Sequence, residues 1–296
     1  IGIDPNDWSF HFKLMADVNM SAYTGTQYKI IGNSTTLFTG TFDGNHHAIR
    51  NLNYTSTTTV DYVGVFGGAE NAVIKDLSIE NASFSANGVI AGGLVGTAKN
   101  TSIIHCSTTG TASFSCTTRD SYAGGLVGWQ NGGSISDCFS TMVVTAFSSS
   151  KVYAGGIVAV QYSGGIENCP STGRVSVSSS SSNSYAGGLV GLQRDSILNS
   201  SSTSPVSCES LGASSDAYAG GLVGYQTMGS ITGSFSEGSV SCSSAHLSCA
   251  GGLIGQQFAS ALITINCYST GTVTCSSSNA FFYAMAGGLV GYQTGG

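Results

Sequence analysis

Ala123-Gly124-Gly125-Leu126-Val127-Gly128 is the stretch whose reading decides the fold, because the chain repeats it. AGGLVG recurs at 91–96, 186–191, 219–224 and 286–291, with AGGIVA at 154–159 and AGGLIG at 250–255. Gly64-Val65-Phe66-Gly67 is a shorter relative that precedes them. The last residues of these motifs, 67, 96, 128, 159, 191, 224, 255 and 291, lie 29 to 36 residues apart. Self-similarity at such a period means one structural unit stacked many times. Within each unit, short runs of Val, Ile, Thr, Tyr and Cys are broken by Gly, Asn and Ser, which is strand and turn chemistry. The expected fold is therefore all-β, a parallel β-solenoid (β-helix) of about eight coils with an N-terminal cap.

Composition narrows the function. Of 296 residues 41% are hydrophobic and 8% charged, where soluble domains carry about a quarter charged residues. A formal charge of -6 disfavours nucleic acid as a partner, and no apolar run reaches the ~20 residues of a membrane span. A surface of Ser, Thr and Asn points to an extracellular or cell-surface setting.

Aligning the units on the hexapeptide produces columns, and residues of one column should sit ~4.8 Å apart on adjacent coils. Gln130, Gln161, Gln193, Gln226, Gln257 and Gln293 form one, expected to be a ladder in which each amide donates to the next. Ile103, Ile135, Ile166, Ile197 and Ile231 form a second, expected to fill the core. His105, Asp137, Asn168, Asn199 and Asn266, with Gly233 in one unit, form a turn column where a left-handed corner would reset the period-two alternation. Cysteines supply two more: Cys106, Cys138, Cys169 and Cys267, then Cys208, Cys242 and Cys275. They read as small buried hydrophobes; metal binding and disulfides are the alternatives, though Cys-x-x-Cys and paired-His spacing are missing. Tyr122, Tyr153, Tyr185 and Tyr218, continued by Cys249 and Met285, form an aromatic column, either a stabilising ladder or a platform for sugar rings. The Ser-rich stretches 176–184 and 207–216 are expected as loops on one edge, where recognition is at home.

These residues resemble a known family. Gly-Leu-Val-Gly at 93–96, 125–128, 188–191, 221–224 and 288–291 is similar to the GLUG motif of bacterial surface proteins, and Asn266-Cys267-Tyr268-Ser269-Thr270-Gly271-Thr272-Val273 to the segment that accompanies it. Asp7-Trp8, His11 to Asp17 and Phe38 to Asn45 resemble the amino-terminal region of those proteins. Ala159 and Ala98 depart from the pattern. The resemblance implies a secreted or surface, adhesin-like bacterial protein, and it brings no catalytic residue with it.

Residues 1–60 then read as N-terminal cap and first coil, and 61–296 as the GLUG-type repeat solenoid with an uncapped C-terminal end. Asp4 to Leu14 should begin with a short helix, Asp4 as N-cap and Pro5 at N1, and Phe38 to Asn53 should form strand, turn at Asp43-Gly44, strand. The open end at Gly296 leads us to expect self-association through coil ends, a stalk or head-to-tail fibre subunit. A glycan-binding adhesin is the alternative, and a polysaccharide-active β-helix enzyme a more distant one. Asp137, Glu167, Asp195 and Glu237 occupy different places in their units, Asp120 and Lys151 suggest a cross-coil ion pair, and His46 and His47 belong to the cap. Accordingly no catalytic, cofactor-binding or metal residue is nominated, no cofactor is implied, and the chain is expected not to be an enzyme. Expected partners are copies of itself and cell-surface glycans, with no nucleic acid and no membrane span.

Overall fold

The computed structural model describes residues 4–258, 264–279 and 282–294. It is a parallel β-solenoid of about eight turns, in which each strand pairs with its counterparts on the coils before and after. Register follows the columns: Val127, Trp129 and Gln130 sit beside Val95, Thr97 and Ala98 on one side, and beside Val158, Val160 and Gln161 on the other. One coil runs through Ser121–Gly124, Val127–Ser136, Phe139–Ser140 and Val143–Ser148. The hexapeptide therefore straddles a bend, with Gly125-Leu126 between two strands. At that bend Leu126 N and Val127 N both donate to Ile157 O of the next coil, at 3.0 and 2.9 Å. Leu94, Leu126, Ile157, Leu189, Leu222 and Leu253, the apolar residues of successive bends, are fully buried.

Corner residues explain how Ile135 and Cys138 both face the core. Asp137 between them has φ 54°, and His105, Asn168, Asn199 and Asn266 have φ of 51°, 53°, 48° and 52°. One left-handed residue turns the chain and restores inward parity on its far side. Gly233, at φ 61°, performs the same turn without a Cβ. The isoleucine column pairs as expected, Ile103 through Ile231, and all five side chains are buried.

Four expectations need correction. The N-terminal helix is a single 3-10 turn, Pro5–Ser9, whose Asp4 cap accepts from Asn6 N at 2.9 Å before the chain enters the strand His11–Lys13. Phe38 to Asn53 does not fold back on itself; Thr41–Arg50 turns at Asn45 and His46 and pairs in parallel with Val73–Gly92. The Ser-rich stretches begin as strands, Val175–Ser179 and Val206–Ser210, because Ser there alternates with Val177 and Cys208 and its inward hydroxyls find carbonyls. Ser179 Oγ donates to Ser150 O at 2.8 Å, and Ser210 Oγ to Asp216 O at 2.7 Å. The glutamine column is mostly not an amide-to-amide ladder: Gln161 and Gln193 Nε2 donate to Ser196 O and Ser230 O, at 3.0 and 3.1 Å, while of the described glutamines in the column Gln257 Nε2 alone reaches another amide, Gln226 Oε1 at 3.0 Å. Loop carbonyls turned inward at each bend must be satisfied, and the amide is the nearest donor.

The first coils are closed by aromatic packing. Phe38 and Phe42 lie 5.1 and 5.3 Å from Phe66, and Trp8 is buried in the same core. Outside it, Asp17 Oδ1 accepts from Ala48 N at 3.0 Å and Asp43 Oδ1 from Asn45 N at 2.8 Å. These backbone hydrogen bonds chiefly, helped by Arg50 at Asp17 and Lys75 at Asp43, hold both carboxyls below their ordinary range. Unfolded aspartates titrate near about 4, so the stabilisation is present above that pH and is lost as pH falls through the lower folded values. Thermal unfolding midpoints should therefore drop below about pH 4, and an Asp17→Asn, Asp43→Asn double variant should flatten the drop. An unchanged slope in that variant would show that the two carboxylates contribute nothing to it.

All nine cysteines are free thiols, and those of the first column stack inside the coils. Cys138 Sγ donates to Ser136 O at 3.1 Å and accepts from Cys106 N at 3.3 Å. The side-chain thiol of Cys106 first, and then burial, push Cys138 up, against the Cys169 thiol and the Cys106 N–H; burial leads the rise at Cys242 and carries Cys249 to about 12. Because the thiolate is the reactive form, iodoacetamide at pH 8 should label half-buried Cys267 first and leave Cys138 and Cys242 intact until the chain is denatured. Peptide mass spectrometry reads the order, and native labelling of Cys138 at the denatured rate would contradict it.

Candidate functional site

One side of the solenoid carries an aromatic trough of about 800 Å³. Its floor is one end of the tyrosine column, Tyr122 and Tyr153. Tyr122, Tyr153, Tyr185 and Tyr218 stand at equivalent positions in the strands that lead into successive hexapeptides. Their rings stack at 5.2, 4.5 and 5.2 Å between centroids, with interplanar angles of 2°, 6° and 19°. Tyr153, Tyr185 and Tyr218 are less than a tenth exposed. Faces that cover one another cannot receive a sugar ring, so of the two expected roles the column fills the structural one. Its hydroxyls are partly anchored: Tyr218 Oη donates to Asp216 Oδ2 at 2.8 Å, and Asn183 Nδ2 donates to Tyr185 Oη at 3.3 Å. Burial pushes Tyr122 and Tyr185 up to about 12, so the column stays uncharged at physiological pH.

The walls flank the glutamine column. Gln130, Gln161, Gln193 and Gln226 are fully buried, so by period-two alternation the residues on either side of them face outward. Just before the amide come Trp129, Val160, Leu192 and Tyr225, an outward apolar run across four coils that gives way to Thr97 and Gln256 at its two ends. Trp129 lies 5.2 Å from Tyr122 at 50°, and Tyr225 lies 5.6 Å from Tyr185 at 54°. These two rings tilt out of the stack. Just after the amide come Tyr162, Arg194, Thr227 and Phe258. Tyr162, Phe258 and neighbouring Met228 are each about half exposed. Arg194 Cζ sits 4.3 Å from the Tyr162 ring centroid, a cation–π contact.

The remaining candidates fall elsewhere. Asp120 forms no ion pair with Lys151; its Oδ1 accepts from Ser150 Oγ at 2.5 Å and Lys151 N at 3.1 Å, capping backbone at the turn. His47 Nδ1 lies 3.2 Å from Asp17, and His105 lies 3.3 Å from Asp76 and 3.8 Å from Asp137 along the corner column. Among the described residues no group of three or more His, Cys, Asp or Glu could hold a metal ion, and no helix is long and apolar enough to cross a membrane. Sequence reading identified the tyrosines but missed Trp129, Tyr162, Arg194 and Tyr225. Their signal was available in the apolar residues that repeatedly neighbour a buried Gln.

Fold and trough together define a repeat solenoid that carries a laterally placed cleft. Residues 120–145 and 215–241, each containing an intact AGGLVG, match the family model of the GLUG motif. The sequence is 32% identical over 127 residues to Halomucin of Haloquadratum walsbyi, a match spanning 40% of this chain and 1% of that protein. Two solved structures share the fold. A candidate immunoglobulin A1 protease from Bacteroides ovatus aligns over 96% of this chain and 77% of its own, with TM-score 0.58 and 21% identity. An IgA1 protease aligns over 88% of this chain and 22% of its own, with TM-score 0.51 and 16% identity.

Proposed function

We propose that this chain is an extracellular, cell-surface adhesive element that binds glycans in its aromatic trough and performs no catalysis, its rod of coils serving as spacer. The observation that carries this reading is the trough itself, where Trp129 and Tyr225 tilt away from a buried tyrosine stack beside an apolar wall. A cleft of that size is in the range of small-ligand sites, and aromatic faces pack well against the C–H faces of sugars. The non-catalytic part is supported by the use made of the acidic residues nearby: Asp195 Oδ2 accepts from Gly164 N at 2.8 Å, and Asp216 Oδ2 accepts from Tyr218. The protease names belong to the structural neighbours, whose likeness is one of fold.

A glycan array probed with the full chain tests the reading. Binding should appear, and Trp129→Ala or Tyr225→Ala should weaken it by about tenfold each, the worth of one well-packed ring. An array without binding, or binding indifferent to both substitutions, would refute it. Incubation with immunoglobulin A1 should leave that substrate intact.

A further inference from the structure

Arg194 is the cation of the trough, and its surroundings distinguish it from an ordinary surface arginine. Its Cζ sits over Tyr162, 4.3 Å from the ring centroid, within a mostly aromatic and aliphatic lining that holds no other charged residue. It makes no ion pair among the described residues. The neighbouring carboxylate that could neutralise it is committed elsewhere, since Asp195 Oδ2 accepts from Gly164 N and Oδ1 from Ser196 N at 2.7 Å. Arg50 and Arg119, by contrast, both have carboxylate partners, at 2.6 and 2.9 Å. A guanidinium seated over a ring without an ion-pair partner has N–H groups to offer, and its fork matches a carboxylate with two parallel hydrogen bonds. The chain as a whole is negative, with net charge -6, so its overall field does not attract anions; a preference for one would have to come from this residue.

Resting on the glycan reading above, we infer that the trough selects a carboxylate-bearing sugar, a uronate or sialate residue. Its C–H face packs on Tyr225, one coil from Arg194, which pairs with its carboxylate, while Trp129, two coils to the other side, receives a further sugar of the same glycan. Both contacts are needed for selectivity. The rings accept any sugar of suitable size, whereas Arg194 distinguishes an acid from its neutral counterpart.

Matched probes separate this inference from the reading beneath it. Calorimetry with sialyllactose beside lactose, and with a glucuronate-terminated disaccharide beside its glucose counterpart, should show the acid of at least one pair bound about tenfold tighter, the 1.4 kcal/mol of one charge-assisted contact. Arg194→Gln should abolish that preference by weakening the acid about tenfold, to the level of its neutral counterpart. Arg194→Lys should keep part of it, since charge is retained and the fork is lost. Raising salt should weaken the acid alone. Equal binding of acid and neutral sugar by the wild type, a preference that survives Arg194→Gln, or tighter binding of a sulfated counterpart would overturn the inference. If Trp129→Ala nevertheless weakens binding of both probes, the glycan reading stands without it; if neither probe nor any arrayed glycan binds, both fall.

Discussion

Gly221→Ala should break the stack from within, whereas Gly224→Ala, three residues along the same hexapeptide, should be tolerated. A methyl on Gly221 would overlap the carbonyl oxygen of Gly252 and the hydroxyl of Ser236, a backbone atom on the next coil and a buried side chain across the interior. Neither can retreat, because each coil's position is set by hydrogen bonds to its neighbours: Gly221 N donates to Gly251 O at 3.1 Å and Leu222 N to Leu253 O at 2.9 Å. Overpacking of that kind costs about 3 kcal/mol. A methyl on Gly224 would stand 2.7 Å from Gly191 O and 2.8 Å from Ala186 O, so the backbone must still give, but by less than at Gly221. The chain supplies the precedent, since Ala159 occupies the equivalent place between two coils that carry Gly there. Its cost should be about 1 kcal/mol. Urea unfolding followed by circular dichroism measures both, and equal losses would show that close approach is not what requires Gly in the middle of the motif.

Leu189→Ala is expected to have a comparable effect for the opposite reason. Its side chain is fully buried at a bend, with the equivalent Ile157 and Leu222 above and below in the same core. Removing three carbons leaves a cavity that a backbone locked into parallel pairing cannot close, and the cost should be about 3 kcal/mol. In a stacked repeat such a loss is local before it is global. Hydrogen exchange should quicken first in Val190 and in its register partners Val158 and Val223, while the phenylalanine-filled first coils keep their protection. Leu198→Ala provides the control: that side chain is part-exposed beside the corner, so its truncation should cost less than about 1 kcal/mol. Uniformly faster exchange along the whole chain would instead mean that the solenoid unfolds as a single unit.

The two substitutions also show why some features were legible in advance and others were not. A column is visible in sequence whenever the same residue type returns at the same offset, so the isoleucine, cysteine and tyrosine columns could be aligned before any coordinates. The left-handed corners were equally legible, because Asn, Asp and Gly are the residues that take positive φ at small cost. Partners of a polar column are a different matter. A Gln that could donate to the next Gln could as easily donate to a loop carbonyl, and the turn after the amide, Asp195-Ser196 and its counterpart at Ser230, decides in favour of the carbonyl. The Ser-rich stretches misled because serine is read as loop chemistry, yet inside a narrow coil its hydroxyl bonds the backbone and extends the strand.

By itself, then, the sequence determined the architecture: one repeating unit, parallel stacking in register, an apolar column within and a left-handed corner at each turn. These follow from periodicity and from local backbone preference, which are properties of each unit alone. Only the tertiary structure decided what the outer face does. Consecutive apolar residues in Gly-Gly-Leu-Val-Gly conceal which side of the strand is inward, and the bend within the motif settles it, turning Gln130 in and Trp129 out. The tyrosine faces are used up by one another because parallel stacking places them within ring-contact distance. Trp129, Tyr162, Arg194 and Tyr225 become the surface of a cleft because they flank the buried amides on four successive coils, a relation set by packing across coils.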